Sequence, residues 1–193
     1  MIHLTSDLHI QHSNIIGYAN RPFKDPSNSG CSSQKKCANC TSKLYCTNLM
    51  NEALINNWNS VVAVRDTVYH VGDFMMGYRA AFDGIDPIIY WERMLNGKIV
   101  HIIGNHDRPS ELGSTITHMI MKIGDYTALV QHTPPTMELE IPEIVDMVIH
   151  GHTHSPTRIL SLGDIPLINV NVEAWGYTPV SIDTILELYK SVK

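Results

Sequence analysis

The chain has 193 residues, 44% of them apolar, and a formal net charge of −5 with a calculated pI near 6.1. That balance excludes a general basic field for non-specific attraction to polyanions, and it is apolar enough to bury one core, so a single domain over 1–193 is expected. No run approaches the roughly 18 apolar residues that a membrane span needs, and MIHLTSD carries no basic-then-apolar leader, so a soluble, cytoplasmic protein with no membrane partner is expected.

In chain order, Met1 to Ser6 reads as a short buried strand. After it, Asn48 to Val62 places Leu49, Leu54, Ile55 and Trp58 near helical spacing and predicts a helix. Thr67 to Val71 is an apolar, β-branched run, Pro87 to Leu95 is helical, and Lys98 to Ile103 is a strand that stops at Gly104. The second half is richer in strand signals, at Ile116 to Ile123, Tyr126 to Gln131, Asp146 to His150 and Leu167 to Val172. A closing helix over Ser181 to Val192 starts at a Ser cap and sets Ile182, Ile185, Leu186 and Tyr189 on one side. The Met-rich stretch His118 to Lys122 reads as core. Periodicity alone leaves the class at α/β or α+β. One compositional break, Ser27 to Thr47, is rich in Ser, Asn, Lys and Cys and reads as a surface insertion.

Five patterns stand at or just past predicted strand ends: Asp7-Leu8-His9, Gly72-Asp73-Phe74, Gly104-Asn105-His106-Asp107, His132 in VQHTPP, and Gly151-His152-Thr153-His154. In open α/β sheets the carboxyl ends of strands converge on one crevice, so these segments can share a site. In an extended segment, residues two apart point the same way, which suits D-x-H and H-x-H. Glycines before Asp73, Asn105 and His152 permit sharp turns close to an ion. Asp, Asn and His make a borderline nitrogen and oxygen ligand set, suited to Mn, Fe, Ni or Zn rather than to an all-oxygen site. So many ligands would crowd one ion. Two ions a few ångströms apart need a bridging carboxylate and clamp a phosphoryl group together with its attacking oxygen.

The ordered set DxH, GD, GNHD, a later lone His and GHxH resembles the calcineurin-like metallophosphoesterase superfamily, and the match runs from Asp7 to His154. The flanking NIIGYANRPF (Asn14 to Phe23) and NVEAWGYTPVS (Asn171 to Ser181) resemble small bacterial and phage members, which implies a bacterial or phage-infected cell. The resemblance implies a four-layer αββα sandwich, two packed mixed β-sheets flanked by helices. It implies that Asp7, His9, Asp73 and His154 hold one ion while Asp73, Asn105, His132 and His152 hold the other, with Asp73 bridging and Mn the first choice of metal. It further implies in-line attack by a hydroxide held between the ions, with His106 as general acid or phosphate donor and Asp107 orienting it.

Around that centre Arg21, His12 and Asn105 are expected to contact substrate, Arg21 as a bidentate phosphate clamp. His12 reads equally as a pocket residue or as an exposed, capping His. His150 is expected to support the site from behind, and His3, His70, His101 and His118 read as strand or surface histidines. The resemblance alone suggests that Asn171, Glu173, Trp175 and Tyr177 shape the pocket floor. All four cysteines, Cys31, Cys37, Cys40 and Cys46, fall in the insertion as C-x5-C-x2-C-x5-C, which suggests a structural zinc knuckle, with disulfides or free thiols as the alternatives. The same insertion carries Lys35, Lys36 and Lys43 and no acid, and it departs from the small members, which run from RPF to the next helix more directly.

Three functions are compatible with these residues. The first is a phosphodiesterase on a nucleotide-like substrate or nucleic-acid end. The second is a phosphomonoesterase or nucleotide pyrophosphatase with the same centre. The third is a nucleic-acid-binding or partner-docking module in which the metals only scaffold.

Overall fold

The computed structural model describes residues 1–27, 41–76 and 84–193. Two mixed sheets pack face to face. The first has the order β3-β2-β1-β9, from β3 (Lys98–Ile102), β2 (Thr67–Val71), β1 (Ile2–Thr5) and β9 (Val180–Ser181). Its β1, β2 and β3 are parallel, and β9 is antiparallel to β1. The second sheet has the order β4-β5-β6-β8-β7, from β4 (His118–Ile123), β5 (Tyr126–Gln131), β6 (Met147–His150), β8 (Ile165–Asn169) and β7 (Ile159–Leu162). Here β5, β6 and β8 run parallel, with antiparallel strands at both edges.

Alternation along the strands builds the layers. Leu4, Val71 and Ile102 of the first sheet meet Met121, Ala128, Val130, Ile149 and Ile168 of the second in one buried core. The opposite face of the first sheet presents Val68 to α1 (Ser13–Tyr18), α2 (Lys43–Val61) and α3 (Pro87–Glu92), which close a second core around Met50, Leu54, Trp58 and Trp91. The far face of the second sheet buries Leu129, Val148 and Leu167 under Ile141 and Val145, which follow the 3-10 turn Glu138–Glu140. This is the mixed α/β sandwich that the resemblance implies.

Local chemistry explains the element ends. In α5 (Ile182–Lys190) the Ser181 side chain accepts the Thr184 N–H, and Ile185 and Tyr189 are fully buried. In α3, Asp86 caps Ile88 and Ile89 just before Pro87 at the first helical position. A short α4 (Pro109–Leu112) follows the GNHD segment and ends at Gly113 in the left-handed region. Helix α2 begins at Lys43, five residues before apolar periodicity signals it, because its first turn exposes Leu44 and Tyr45. Cys46 is nonetheless buried there and starts the stripe Cys46, Met50, Leu54 and Trp58. The edge strand β7, the two-residue β9 and the six-residue α1 carry no signal in the sequence, since each is too short to show a period. Among the described residues, no helix is long and apolar enough to cross a membrane.

Candidate metal centre

The parallel strands β1, β2 and β3 and their neighbours β5 and β6 all end on one side of the molecule, and the five patterns follow them directly. The chain does not continue extended through these segments. Asp7, His9, Asp73, His152 and His154 all lie at positive φ, between 48° and 70°. Non-glycine residues hold that conformation only where the surroundings fix it. The expected reason for the convergence of D-x-H and H-x-H, two residues apart on a strand, is therefore replaced: tight left-handed turns past the strand ends bring the pairs together.

Contacts around these turns hold them in place. Asp7 N–H donates to Gly72 carbonyl at 2.9 Å and His9 N–H to Asp73 carbonyl at 3.0 Å. A Cβ on Gly104 would run into the Asp73 carboxylate and backbone, and one on Gly151 into Ser6 and the Asp7 carboxylate. These two glycines thus serve close approach of chain to chain, and a side chain at either would displace an acid.

Both carboxylates are used asymmetrically. Asp7 Oδ2 accepts from Ser6 Oγ and, at 2.9 Å, from the His152 N–H, while its Oδ1 is buried with no hydrogen bond among the described residues. Asp73 Oδ1 accepts the His106 N–H at 2.9 Å, which leaves Oδ2 facing histidines. Asp7 Oδ1 lies 3.8 Å from His9 Nε2 and 3.7 Å from His154 Nε2. Asp73 Oδ2 lies 3.5 Å from His9 Nε2 and 3.4 Å from His132 Nε2, between the two groups. Asn105 Oδ1 is 2.9 Å from both His132 Nε2 and His152 Nδ1.

Ligand atoms on a common ion at ~2.1 Å sit about 3.0 to 3.5 Å apart; the Asp73 separations of 3.5 and 3.4 Å lie in that range, and the Asp7 separations of 3.8 and 3.7 Å and the Asn105 separations of 2.9 Å lie within a few tenths of it. Asp7, His9 and His154 form one group within reach of a metal, and Asp7, Asp73 and His132 another. The buried Oδ1 of Asp7 and Nε2 of His9, both without hydrogen bonds, are the observation that fits a metal best, because unpaired buried polar atoms are costly.

Supporting contacts fix the ligand atoms. His132 Nδ1 donates to the Val71 carbonyl at 2.8 Å, so Nε2 faces the centre. His154 Nδ1 bonds Glu173 at 3.0 Å, with the same consequence. His150 is buried behind Gly151 with Nδ1 on the Gly151 carbonyl at 2.9 Å. Burial pushes Asp7 up to about 6, against the opposing pull of His132 and His154. Burial alone would lower His132, but Asp73 and Asp7 outweigh it and raise it to about 9. Burial, reinforced by Arg21, holds His9 well below its ordinary value. Packing alone leaves this cluster electrostatically unsatisfied, as expected of a cation site.

Two expectations fail here. Arg21 is not a phosphate clamp. It is fully buried, and its guanidinium is spent on the Leu8 and Asp7 carbonyls at 2.9 and 2.7 Å, on Met50 sulfur and on Glu173. It holds the Asp7 turn from behind and links it through Glu173 to His154. Asp107 does not orient the His106 ring either, because its carboxylate accepts the backbone N–H groups of Asp73, Phe74 and Gly104. Both side chains are instead bonded to the backbone around Asp7 and Asp73.

His106 itself is exposed, and its ring stands edge-on to His9 at 5.6 Å between centroids. His12 lies 5.4 Å from the same ring, with no side-chain cap bond to α1. Burial, then His106, lowers His12 to about 4. Asn105 and His152 are also exposed, so the centre has a buried floor of Asp7, His9, Asp73 and His132 and an open rim.

Of the expected floor residues only Glu173 reaches the centre. Asn171 caps the 3-10 turn Val172–Trp175, and Trp175 donates to the Asn169 carbonyl. Ser6, bonded to Asp7 and bridged to Asn171, is a site residue that the sequence does not reveal, since a lone Ser beside an Asp gives no signal there. Cys31, Cys37 and Cys40 of the suggested zinc knuckle, with Lys35 and Lys36, lie outside the described residues.

No family model matches the chain. The uncharacterized protein MJ1445 of Methanocaldococcus jannaschii is 32% identical over 202 residues, which cover 100% of this chain and 93% of that protein. The chain belongs to the same family as that archaeal protein. The Gene 66 protein of Mycobacterium phage L5 is 25% identical over 173 residues, covering 72% of this chain and 80% of the phage protein. Among solved structures, the protein of unknown function AQ665 from Aquifex aeolicus overlays with a TM-score of 0.65 at 24% identity. The overlay covers 97% of this chain and 98% of that one, and it shows a shared fold.

Proposed function

We propose that the protein hydrolyses phosphate esters with two divalent transition ions, Mn before Fe, Ni or Zn, and that it prefers diesters of nucleotide type. One observation carries this reading. Asp7 and Asp73 each commit one carboxylate oxygen to fixed donors and turn the other toward histidine nitrogens at 3.4 to 3.8 Å. Asp7, His9, His154 and Asp73 would hold one ion, and Asp73, Asn105, His132 and His152 the other. Bound there, the ions would lower the pKa of water and take up negative charge developing on a phosphoryl group.

The chain's own groups supply the rest. The exposed His106 stands beside His9 with its backbone pinned to Asp73, where it can give a proton to a departing oxygen. An alkoxide is a poor leaving group without that proton, which favours a diester. Asn105 and His152 on the rim face an incoming phosphate.

The test is a turnover screen of the purified protein with Mn and other divalent ions against mono- and diesters, cyclic nucleotides and short oligonucleotides. Diester turnover should depend on metal and fall at least ~100-fold in His106→Ala, the usual contribution of a general acid. Monoester turnover alone would favour the phosphatase reading. Metal loading without any turnover would leave a scaffolding centre.

A further inference from the structure

Beside the rim lies a cavity of about 840 Å³. It is continuous with the proposed reaction centre, because His12 and His106, whose rings both meet His9, form part of its wall. Away from those histidines the wall changes character. Lys43 and Arg108 supply two cations, Leu44 and Met76 supply apolar surface, and among the described residues no carboxylate lines the cavity.

The two cations in this wall contrast with the chain's net charge of −5. Leu44 is 70% exposed, and Lys43, on the same first turn of α2, is exposed as well. Arg108 pairs through one guanidinium nitrogen with Glu111 at 3.2 Å, an exposed contact of the kind worth little, which a phosphate can displace.

We infer that this cavity holds the part of the substrate beyond the scissile bond, and that this part is a nucleoside bearing a further phosphate. Lys43 and Arg108 take that second phosphate, while Leu44 and Met76 carry the apolar face of the base. The inference rests on the phosphodiesterase reading and narrows it to a nucleotide chain with at least two phosphates. A small aryl diester would fill the centre and leave the cavity empty.

Two measurements on the metal-loaded, full-length protein test it. In turnover, Lys43→Ala/Arg108→Ala should lose about tenfold more kcat/KM on a trinucleotide than on a small aryl diester. In equilibrium binding, the same double variant should bind a fluorescent trinucleotide about tenfold more weakly. Its slope of log affinity against log salt should be shallower by about 0.7 for each phosphate charge that the variant no longer neutralises. Equal losses on both substrates, or unchanged trinucleotide binding with an unchanged salt slope, would overturn the assignment. Binding needs no turnover, so an inactive wild type that still shows the predicted binding loss would sink the hydrolytic reading and keep the cavity's.

Discussion

The carboxylate of Asp107 accepts the backbone N–H of Asp73 at 2.7 Å, and with the same oxygen the Gly104 N–H at 2.9 Å. Two loops that follow β2 and β3 are thereby clamped, and the clamp sets where Asp73 places its free oxygen. Asp107→Asn replaces one acceptor by a donor that would face an N–H. Metal affinity should fall about 10- to 100-fold, as for other groups that orient ligands. Stability of the metal-free protein should fall by roughly 1–3 kcal/mol for the unsatisfied buried donors. Metal titration and denaturant unfolding measure the two effects, and unchanged metal affinity would remove the positioning role.

Arg21 and Glu173 form a buried pair at 2.8 Å. Arg21→Met strands the Glu173 charge and should cost on the order of 3–5 kcal/mol. Arg21→Lys should also destabilise, because one ammonium cannot reach two carbonyls and a carboxylate in the guanidinium's fork. A phosphate clamp would behave differently, with normal unfolding and a raised KM. Comparing unfolding midpoints with KM decides between them.

Asp73 Oδ2 faces both His9 and His132, so Asp73→Asn removes the negative charge that two cations would share. Metal-dependent hydrolysis should drop below detection, and elemental analysis should find fewer than two ions per chain. Undiminished turnover would refute the dinuclear reading.

Metal removal should destabilise the fold, by an amount that depends on pH. Asp7 sits at about 6 against 3.8 for the ordinary group, so its contribution to metal-free stability is present below pH 3.8 and is lost as pH rises through 6. His132 sits at about 9 against 6.5, and its contribution is lost as pH rises through 9. Both changes weaken the metal-free protein between about pH 4 and 9, while lost protons open the ligands to metal. The thermal shift on adding metal should therefore grow from pH 5 to pH 8. At a hundredfold excess over Kd it should reach ~2.7 kcal/mol, or about 5–10 °C for a chain of this size. A shift that is flat or falls with pH would count against these ligands.

Much of this was legible in the sequence because the relevant signals are local. The strands β2 and β5 have the bounds that their apolar runs predict, and Ser181 caps α5 as its position implies. The ligand patterns are legible for a related reason: Asp, Asn and His next to Gly, past a strand end, serve metal chemistry better than packing.

Arg21 shows where such reading stops. In sequence it is a basic residue at a Pro turn, and only the packing of α1, α2 and the Val172–Trp175 turn decides that it points inward to Glu173. Asp107 is similar, since its partners Asp73 and Phe74 lie 34 and 33 residues away. The sequence by itself determined which Asp, Asn and His residues follow the strand ends, the alternating α/β order and the net charge of −5. Tertiary structure alone decided which carboxylate oxygen has no hydrogen bond among the described residues, which charged residues are spent behind the site, and that Lys43 and Arg108 line the cavity beside it. The reason is physical: residue type limits the chemistry a group can do, whereas burial and hydrogen-bond partners fix which of its atoms remain available to do it.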